Sequence, residues 1–428
     1  MKNKEFYIWL FLLISLIFLT TIYFYIKNIR PEESCIYIPA ILKNEGVITQ
    51  FCLKTIYGSG RVFSEIPNVF TQNYQISFII AKSAICKIIE NCDKYDYIFY
   101  TKEKFSGEGF SGTAGLATLI LYEIYKIKNK QNISITGFVL PNGLILPVGG
   151  IAEKLNASLS KNLTLIAPSN YSKDILQAYT ILDIENYLLN YQKKNYLKIP
   201  EKYYLVLKEI ALDICNGLEN EEIKNLINKN SFYTAASLCF IEKSKNEDFI
   251  YSLPTDLEKE ILDFEKDIMN YNCRTFTCEE IKFQILLRIN MSKEASDINQ
   301  KYWRFYTAKG WYKILKEFEN LERKNTCKII ENDYAILKYL INENLENNNS
   351  CFEKREILSK IYNELFSNYE IDTKKFVNSV EEYLKFLYGK NGFSITSYNY
   401  FVYGKDLIEM GKIKEGILYL IYSINYAI

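Results

Sequence analysis

The order of apolar and polar residues divides the chain into three regions. Residues 6–26 form a continuous run of 21 residues without a charge. Residues 35–192 alternate short runs of β-branched and aromatic residues with stretches of helical spacing, which is typical of strands mixed with helices. From residue 193 to residue 428 the helical spacing continues alone, and Gly and Pro become scarce. The pattern predicts an α+β domain followed by an all-α domain, both behind an apolar N-terminal segment.

The apolar run from Phe6 to Ile26 is long enough to cross a membrane. At 1.5 Å per residue, a helix of this length spans a hydrocarbon core of roughly 30 Å. A cleaved signal peptide would end in small residues, whereas this run ends in the bulky sequence TTIYFYIKN. We therefore expect an uncleaved single-pass transmembrane helix, with residues 1–34 forming the anchor and a short linker.

The orientation of this anchor rests on few charges. Lys2 and Lys4 precede the run, and Lys27 and Arg30 follow it, so the positive-inside rule is almost balanced. The prediction is a cytoplasmic N-terminus with the soluble part outside the cytoplasm.

The α+β region shows its elements directly in the sequence. Strands are predicted for CIYIPAIL, VITQFCLKTIYG, YDYIFYT, ISITGFVL and LTLIAP. Helices are predicted for YQISFIIAKSAICKIIENC, GLATLILYEIYKIKN and GGIAEKLNASLSKN. The segment GSGRVF, beginning at Gly58, is interpreted as a turn. No glycine-rich loop ending in Gly-Lys-Ser or Gly-Lys-Thr is present, so the sequence shows no nucleotide-binding motor.

The helical region ends in two predicted helices that contain regularly spaced glycines. Amphipathic stretches such as EKYYLVLKEIALDICNGL and REILSKIYNELFSNY lead up to it. Gly404, Gly411 and Gly416 are spaced as in two close-packed antiparallel helices, and the segment resembles one degenerate tetratricopeptide repeat. An ordinary helical hairpin explains the same spacing.

Composition narrows the possible chemistry. The formal net charge is +1, which gives no basic stripe for nucleic acid. The chain has no histidine, so Ser-His-Asp and Cys-His catalysis are excluded, and no metal site is predicted. Its ten cysteines are even in number and include the close pairs Cys86/Cys92 and Cys273/Cys278, as expected of disulfides. Buried reduced thiols are the alternative interpretation.

The segment EGFSGTAG carries the first candidate for catalysis. Gly109 and Gly112 flank Ser111 and allow a close backbone approach, and a predicted apolar helix begins just after it. The unpaired N–H groups and the dipole of that helix start would favour a developing negative charge. A serine or threonine that only caps a buried helix would look much the same.

Without histidine, a serine nucleophile needs another base. A lysine that burial keeps neutral can serve, since desolvation lowers its pKa. Lys154 lies in the first or second turn of a helix that follows the tight turn LPVGG, on an apolar-flanked position. A solvated helical lysine is the ordinary alternative.

Together these two segments resemble the proteolytic domain of Lon proteases, which are serine peptidases with a Ser–Lys dyad. EGFSG matches the nucleophile segment of that family, and TGFVLPNGLILPVGGIAEK matches its second block. LTLIAPSN, IPAI and YGSGRVF are similar to further strands of the family, so the resemblance covers about residues 35–192. It implies an α+β proteolytic domain, with residues 193–428 as a separate helical domain. The matched positions of the second block are Thr136, Gly137, Gly143, Pro147, Gly149, Gly150 and Lys154.

The resemblance also assigns the site residues. Ser111 would be the nucleophile, because this choice places Glu108 on the family's acidic position; Thr113 is the alternative nucleophile. Thr136 would orient the ammonium group of Lys154, Glu108 would position the dyad, and the Gly112 N–H would belong to the oxyanion hole.

Two residues depart from the family pattern beside these positions. Phe110 stands where the family has Pro or Asp, and Phe138 stands where Glu is usual. Phe110 in particular could change the electrostatics of the dyad or the fit of the substrate.

The predicted function is a membrane-anchored serine endopeptidase of Lon type that acts without ATP on unfolded or flexible polypeptides. It would use no cofactor, bind no nucleic acid and, by resemblance, form a homohexameric ring. Two other hypotheses stay open. One is a catalytically silent membrane-tethered scaffold whose helical domain binds protein partners, and the other is a peptidase subunit served by a separate ATPase.

Overall fold

A computed structural model describes residues 9, 11–21, 34–65, 72–102, 109–127, 132–189, 197–245, 256–341, 348–366 and 370–428. Residues 11–21 form helix α1, which belongs to the N-terminal apolar run. Among the described residues, no helix has both the length and the apolar character needed to span a membrane. Part of the expected span, Phe6–Ile26, lies outside the described residues, and so does the predicted domain boundary at 192.

A mixed sheet forms the centre of the α/β region. Strands β1 (Ser34–Leu42) and β2 (Glu45–Tyr57) form an antiparallel hairpin. Its two-residue turn places Lys43 and Asn44 at positive φ, as a hairpin of this length requires. Within the described residues the sheet has seven strands in the order β3-β4-β2-β1-β5-β8-β9, where β5, β8 and β9 continue parallel to β1. The other five strands are β3 (Val62–Glu65), β4 (Tyr95–Thr101), β5 (Ile133–Ile135), β8 (Thr164–Ala167) and β9 (Ile175–Gln177).

Helices cover both faces of this sheet. Helix α3 (Thr113–Tyr125), which begins just after Ser111, is buried over most of its length. Gly115 allows it to approach Ile38 of β1 closely. Ile41, three residues further along β1 and therefore on the opposite face, contacts Gly150 at the start of α4 (Ile151–Ser160). The two helices thus lie on opposite faces, and both start near the carboxyl edge of β5. The remaining elements of this region are α2 (Gln72–Ile88), α5 (Ile181–Leu189) and the small hairpin of β6 (Phe138–Val139) and β7 (Ile145–Leu146).

The C-terminal region is helical, as predicted. Several of its helices begin at a side-chain cap, for example Asn220, Asp256 and Asp372, whose oxygens accept backbone N–H groups. The helices are α6 (Tyr203–Cys215), α7 (Glu221–Asn228), α8 (Phe232–Lys243), α9 (Leu257–Met269), α10 (Phe276–Glu294), α11 (Ile298–Phe318), α12 (Cys327–Ile341), α13 (Cys351–Phe366), α14 (Thr373–Asn391), α15 (Ile395–Glu409) and α16 (Ile413–Ala427).

The last two helices, α15 and α16, pack closely at glycine. A Cβ on Gly404 would lie 2.7 Å from the carbonyl oxygen of Gly416, and the reverse distance is 2.6 Å. Such contacts are possible only for glycine, so the hairpin predicted from glycine spacing is present. The likeness to a tetratricopeptide repeat stays a prediction.

The helical region packs directly on the α/β region. Asn142, in the loop between β6 and β7, donates to Asn425 of α16 at 3.0 Å, and the hydroxyl of Tyr383 donates to the Asn142 carbonyl at 3.0 Å. Lys87 of α2 forms a buried ion pair with Asp333 of α12, with 2.8 Å between Nζ and Oδ1. One apolar core runs through both regions. The helical region therefore holds the loop that precedes α4.

All ten cysteines lie in described residues and are paired in disulfides. Two bridges are short-range, Cys86–Cys92 and Cys273–Cys278. The others are Cys35–Cys52, Cys215–Cys239 and Cys327–Cys351. The pairing confirms disulfides over reduced thiols in this structure.

Candidate active site

Ser111 lies in a single turn of 3₁₀ helix, Phe110–Gly112, that leads directly into α3. The chain enters this turn at Gly109 with φ 100° and ψ 167°, a conformation that favours glycine. The serine is partly exposed, whereas the helix behind it is buried, so the hydroxyl lies where the rigid helix begins. Glu108, which the sequence analysis placed beside the dyad, lies outside the described residues.

The backbone at Ser111 is fixed to the segment that follows β5. The Gly137 N–H donates to the Ser111 carbonyl at 2.9 Å, and the hydroxyl of Thr136 donates to the same oxygen at 3.1 Å. In return, the Ala114 N–H donates to the Gly137 carbonyl at 3.2 Å. Ser111 and Thr136, which are 25 residues apart in the sequence, are therefore neighbours.

The hydroxyl of Thr113 is occupied by backbone groups. It donates toward the carbonyls of Phe110, at 2.8 Å, and Gly137, at 3.1 Å, and it accepts the Val139 N–H at 2.7 Å. The residue is fully buried. Its geometry is that of a side chain that joins the start of α3 to β6, and an attacking hydroxyl would have to give up these bonds.

Lys154 lies in the first turn of α4 and is 3% exposed. Within the described part of the chain its Nζ has no hydrogen bond or ion pair. Burial lowers the pKa of the ammonium group to about 8, although the neighbouring Glu153 acts in the opposite direction. A lysine in this state loses its proton far more readily than one in water.

A hydrogen bond between α4 and β5 fixes the level of Lys154 along the strand. Ser134 Oγ donates to Ser158 Oγ at 2.7 Å, and Ser158 Oγ donates to the Lys154 carbonyl at 2.8 Å. Because α4 turns directly into β8, a parallel neighbour of β5, the helix runs antiparallel to β5. Lys154 precedes Ser158 by four residues of helix, which is about 6 Å. Thr136 follows Ser134 by two residues of strand, which is about 6.6 Å in the same direction. Lys154 and Thr136 therefore lie at the same level.

Ser111 and Thr136 are thus joined at the carboxyl edge of β5, and Lys154 lies at the level of Thr136 along the strand. Ser111 Oγ and Lys154 Nζ do not hydrogen-bond to each other, and within the described residues the serine hydroxyl has no other partner. Catalytic hydrogen bonds of this kind often tighten only when substrate is bound. Gly112 lies at the N-cap of α3 and is buried, so its backbone is at the positive end of the helix dipole.

Phe110 and Phe138, the two departures from the family pattern, contact each other. Their rings stack with centroids 4.9 Å apart and an interplanar angle of 21°. Both rings are partly exposed, and Phe110 directly precedes Ser111. The sequence names both residues, but only the folded chain shows that they form one apolar surface beside the serine.

The described residues contain no group of three or more potential metal ligands. The arrangement offers a hydroxyl, a buried amine and a helix start. These are the components of nucleophilic catalysis with a lysine base.

The region that contains these residues is similar to known proteins. Residues 63–187 match the model of the Lon protease (S16) C-terminal proteolytic domain. An archaeal Lon protease of Thermoplasma acidophilum is 32% identical over 155 residues, which cover 35% of this chain and 21% of the relative. An archaeal Lon protease of Archaeoglobus fulgidus is 29% identical over 139 residues, which cover 32% of this chain and 20% of the relative. The chain therefore spans about a fifth of the length of these relatives.

Proposed function

We propose that this protein is a serine endopeptidase of Lon type with Ser111 as nucleophile and Lys154 as base, because residues 63–187 match the model of the Lon proteolytic domain. The observation that carries the proposal is the buried amine of Lys154, which lacks a partner in the described residues, in a chain whose partly exposed Ser111 lies in the turn that leads into α3. Because the hydroxyl of Thr113 holds backbone groups, we assign the attack to Ser111.

The reaction would be acyl transfer to serine. Neutral Lys154 takes the proton of Ser111 Oγ while that oxygen attacks the carbonyl carbon of a peptide bond. The protonated lysine then gives this proton to the leaving amine, and the C–N bond breaks. Neutral Lys154 then deprotonates a water molecule, which attacks the acyl carbon. The bond to Ser111 Oγ breaks, and Lys154 returns the proton to that oxygen.

The neighbouring groups would support these steps. Thr136, level with Lys154 and bonded to the Ser111 backbone, would orient the amine toward the serine. The Gly112 N–H would stabilise the oxyanion at the start of α3. Glu108 is proposed to position the dyad.

Substrates are proposed to be unfolded or flexible polypeptides. The sequence carries no phosphate-binding loop, so within this chain nothing would drive unfolding, and hydrolysis would proceed without ATP. A separate ATPase that delivers substrates is the alternative. By resemblance to the family, a homohexameric ring is the expected assembly.

We place the soluble part outside the cytoplasm, held by a membrane anchor at residues 6–26. The uncharged run of 21 residues supports the anchor, and the five disulfides support an oxidising compartment. Protease protection of a C-terminal epitope in sealed vesicles tests this location. Digestion of the epitope from the cytoplasmic side would contradict it.

Covalent labelling of the serine tests the proposed activity. A fluorophosphonate probe is expected to label the full chain and the Thr113→Ala variant, and to leave Ser111→Ala unlabelled. Labelling that is lost in Thr113→Ala and kept in Ser111→Ala would identify Thr113 as the nucleophile instead. A folded chain that reacts with no such probe and cleaves no peptide would favour the silent membrane-tethered scaffold.

A further inference from the structure

A cavity of about 550 Å³ lies within the helical region and has no role in the proposed peptidase chemistry. Seven helices contribute to its wall, namely α6, α8, α10, α11, α13, α15 and α16. Nine aromatic side chains line it, including Trp311, Phe240, Tyr403 and Tyr419. A cavity of this size and composition can hold a large apolar side chain with part of the chain that carries it.

Two arginines give this cavity its charge. The guanidinium of Arg288 lies 4.5 Å from the ring centre of Trp311, and that of Arg304 lies 4.8 Å from the ring centre of Phe240. Neither arginine forms an ion pair with a carboxylate of the described residues. Arg288 donates to the carbonyl and side-chain oxygens of Gln284 and to the hydroxyl of Tyr233, all of them uncharged. Burial and the nearby Arg288 lower the pKa of Arg304, as expected when two cations share one poorly solvated space.

The carboxylates in the cavity balance these charges only in part. Glu353 accepts the Ser350 N–H at 2.6 Å and so helps to cap α13. Burial raises the pKa of Glu356, whose carboxylate is held by the hydroxyl of Tyr426 at 2.6 Å. Counted with Lys360, the lining carries three cations against these two acids, so positive charge is in excess.

Hydroxyl groups provide the remaining polar contacts. Tyr403 and Tyr419 pack edge to face with ring centres 4.5 Å apart. Among the described residues neither of their hydroxyls has a hydrogen-bond partner. These hydroxyls can bond to peptide N–H and C=O groups, which an alkyl chain does not offer.

From this arrangement we propose that the cavity binds the C-terminal end of a polypeptide whose last residue is aromatic or large and aliphatic. The terminal carboxylate would lie between Arg288 and Arg304, the last side chain would fill the aromatic space, and Tyr403 and Tyr419 would bond to the peptide backbone. Planar guanidinium groups suit a carboxylate, and charge-assisted hydrogen bonds of this kind are the strong ones. The proposal does not depend on Ser111.

The test is binding of a labelled octapeptide that ends in Phe, measured by fluorescence anisotropy with the full-length Ser111→Ala variant, so that cleavage cannot interfere. The same peptide with an amidated C-terminus is the control ligand, because it lacks the terminal carboxylate. The free acid is expected to bind about ten- to a hundredfold more tightly than the amide, the range for losing a hydrogen bond to a charged group.

Variants locate the effect in the cavity. In the same Ser111→Ala background, Arg304→Gln is expected to remove most of the preference for the free acid, and Arg304→Lys to keep part of it. Arg274→Gln is the control, because Arg274 is an exposed arginine outside the cavity lining. Circular dichroism checks that each variant is folded.

Equal affinity for the acid and the amide would overturn the proposal without any variant. A preference for the acid that persists in Arg304→Gln and in Arg288→Gln would also overturn it. Since binding is measured without the nucleophile, these outcomes say nothing against the peptidase, and a failure of serine labelling says nothing against this cavity.

Discussion

Lys154, at the carboxyl edge of β5, and Lys87, where α2 packs on the helical region, are buried to a similar depth, with 3% and 6% exposure. Lys87 donates to Asp333 at 2.8 Å and to Ser83 Oγ at 3.2 Å. Lys154 has no such partner in the described residues. The two regions of the molecule thus bury the same side chain in opposite ways.

This difference separates a structural lysine from a candidate base. A buried charge is normally paired, because an uncompensated one is costly to the fold. Lys87 obeys that rule and joins the two regions. Lys154 departs from it, and a departure that favours loss of a proton is what a lysine base requires.

Replacing either dyad residue should give the largest effect. Ser111→Ala and Lys154→Met are each expected to lower kcat/KM for a labelled unfolded protein by at least about a thousandfold, as when a nucleophile or its base is removed. Lys161→Met, at the exposed end of α4, is the matched lysine control and should keep its activity. Substantial hydrolysis by folded Lys154→Met would refute its role as the base.

Removing the partner of Lys87 should affect stability instead. Asp333→Ala leaves the ammonium group buried without an acid, and the free energy of unfolding is expected to fall by about 3–5 kcal/mol. Urea unfolding measures this loss. An unchanged unfolding midpoint would show that the ion pair contributes little.

Lys154→Met should have the opposite effect on stability. The folded state lowers the pKa of Lys154 from 10.5 to about 8, so it disfavours the charged form. At pH 7 the charge is present in both states, and its removal should raise the free energy of unfolding by up to about 3 kcal/mol.

The pH dependence of the free energy of unfolding should also differ between the unmodified chain and Lys154→Met. Between pH 8 and 10.5 the unfolded chain binds more protons at this position, so the stability of the unmodified chain should rise across that window. Lys154→Met should lose that rise, as urea unfolding at each pH will show. A variant that is less stable at pH 7 would contradict the assigned burial of a poorly solvated charge.

The stacked phenylalanines should give the smallest effect. Phe110→Ala and Phe138→Ala are each expected to lower kcat/KM about fivefold for peptides with a large apolar residue beside the cleaved bond, and less for small residues. This corresponds to about 1 kcal/mol, the scale of one aromatic contact. Phe63→Ala, on edge strand β3, is the matched control. Uniform losses for all peptides would mean that the pair does not select substrates.

Local patterns predicted most of the fold. The runs at 35–42, 47–58, 95–101 and 163–168 correspond to β1, β2, β4 and β8, because β-branched runs and turn residues act over short distances. ISITGFVL was predicted as one strand and is two, β5 and β6, because the backbone turns at Gly137, where φ is 151°. The short β9 and α5 gave too weak a signal and were missed.

The candidate site residues could be named from the sequence, but their surroundings could not. The sequence identifies Ser111, Thr113 and Lys154 as candidates. The structure adds that the hydroxyl of Thr113 bonds to backbone groups, which gives it a structural role beside Ser111. The bond between Asn142 and Asn425 joins residues 283 positions apart, so no local pattern could reveal it. The same holds for the pairing of Lys87 with Asp333.

The most direct test of the central claim is the pH dependence of serine labelling by a fluorophosphonate probe. If Lys154 is the base, the labelling rate of Ser111 should rise with pH through about 8 and then level off, because the neutral amine becomes the main form. In Lys154→Met that rise should disappear. A rise that persists in Lys154→Met, or a rate that does not depend on pH in the unmodified chain, would contradict the account.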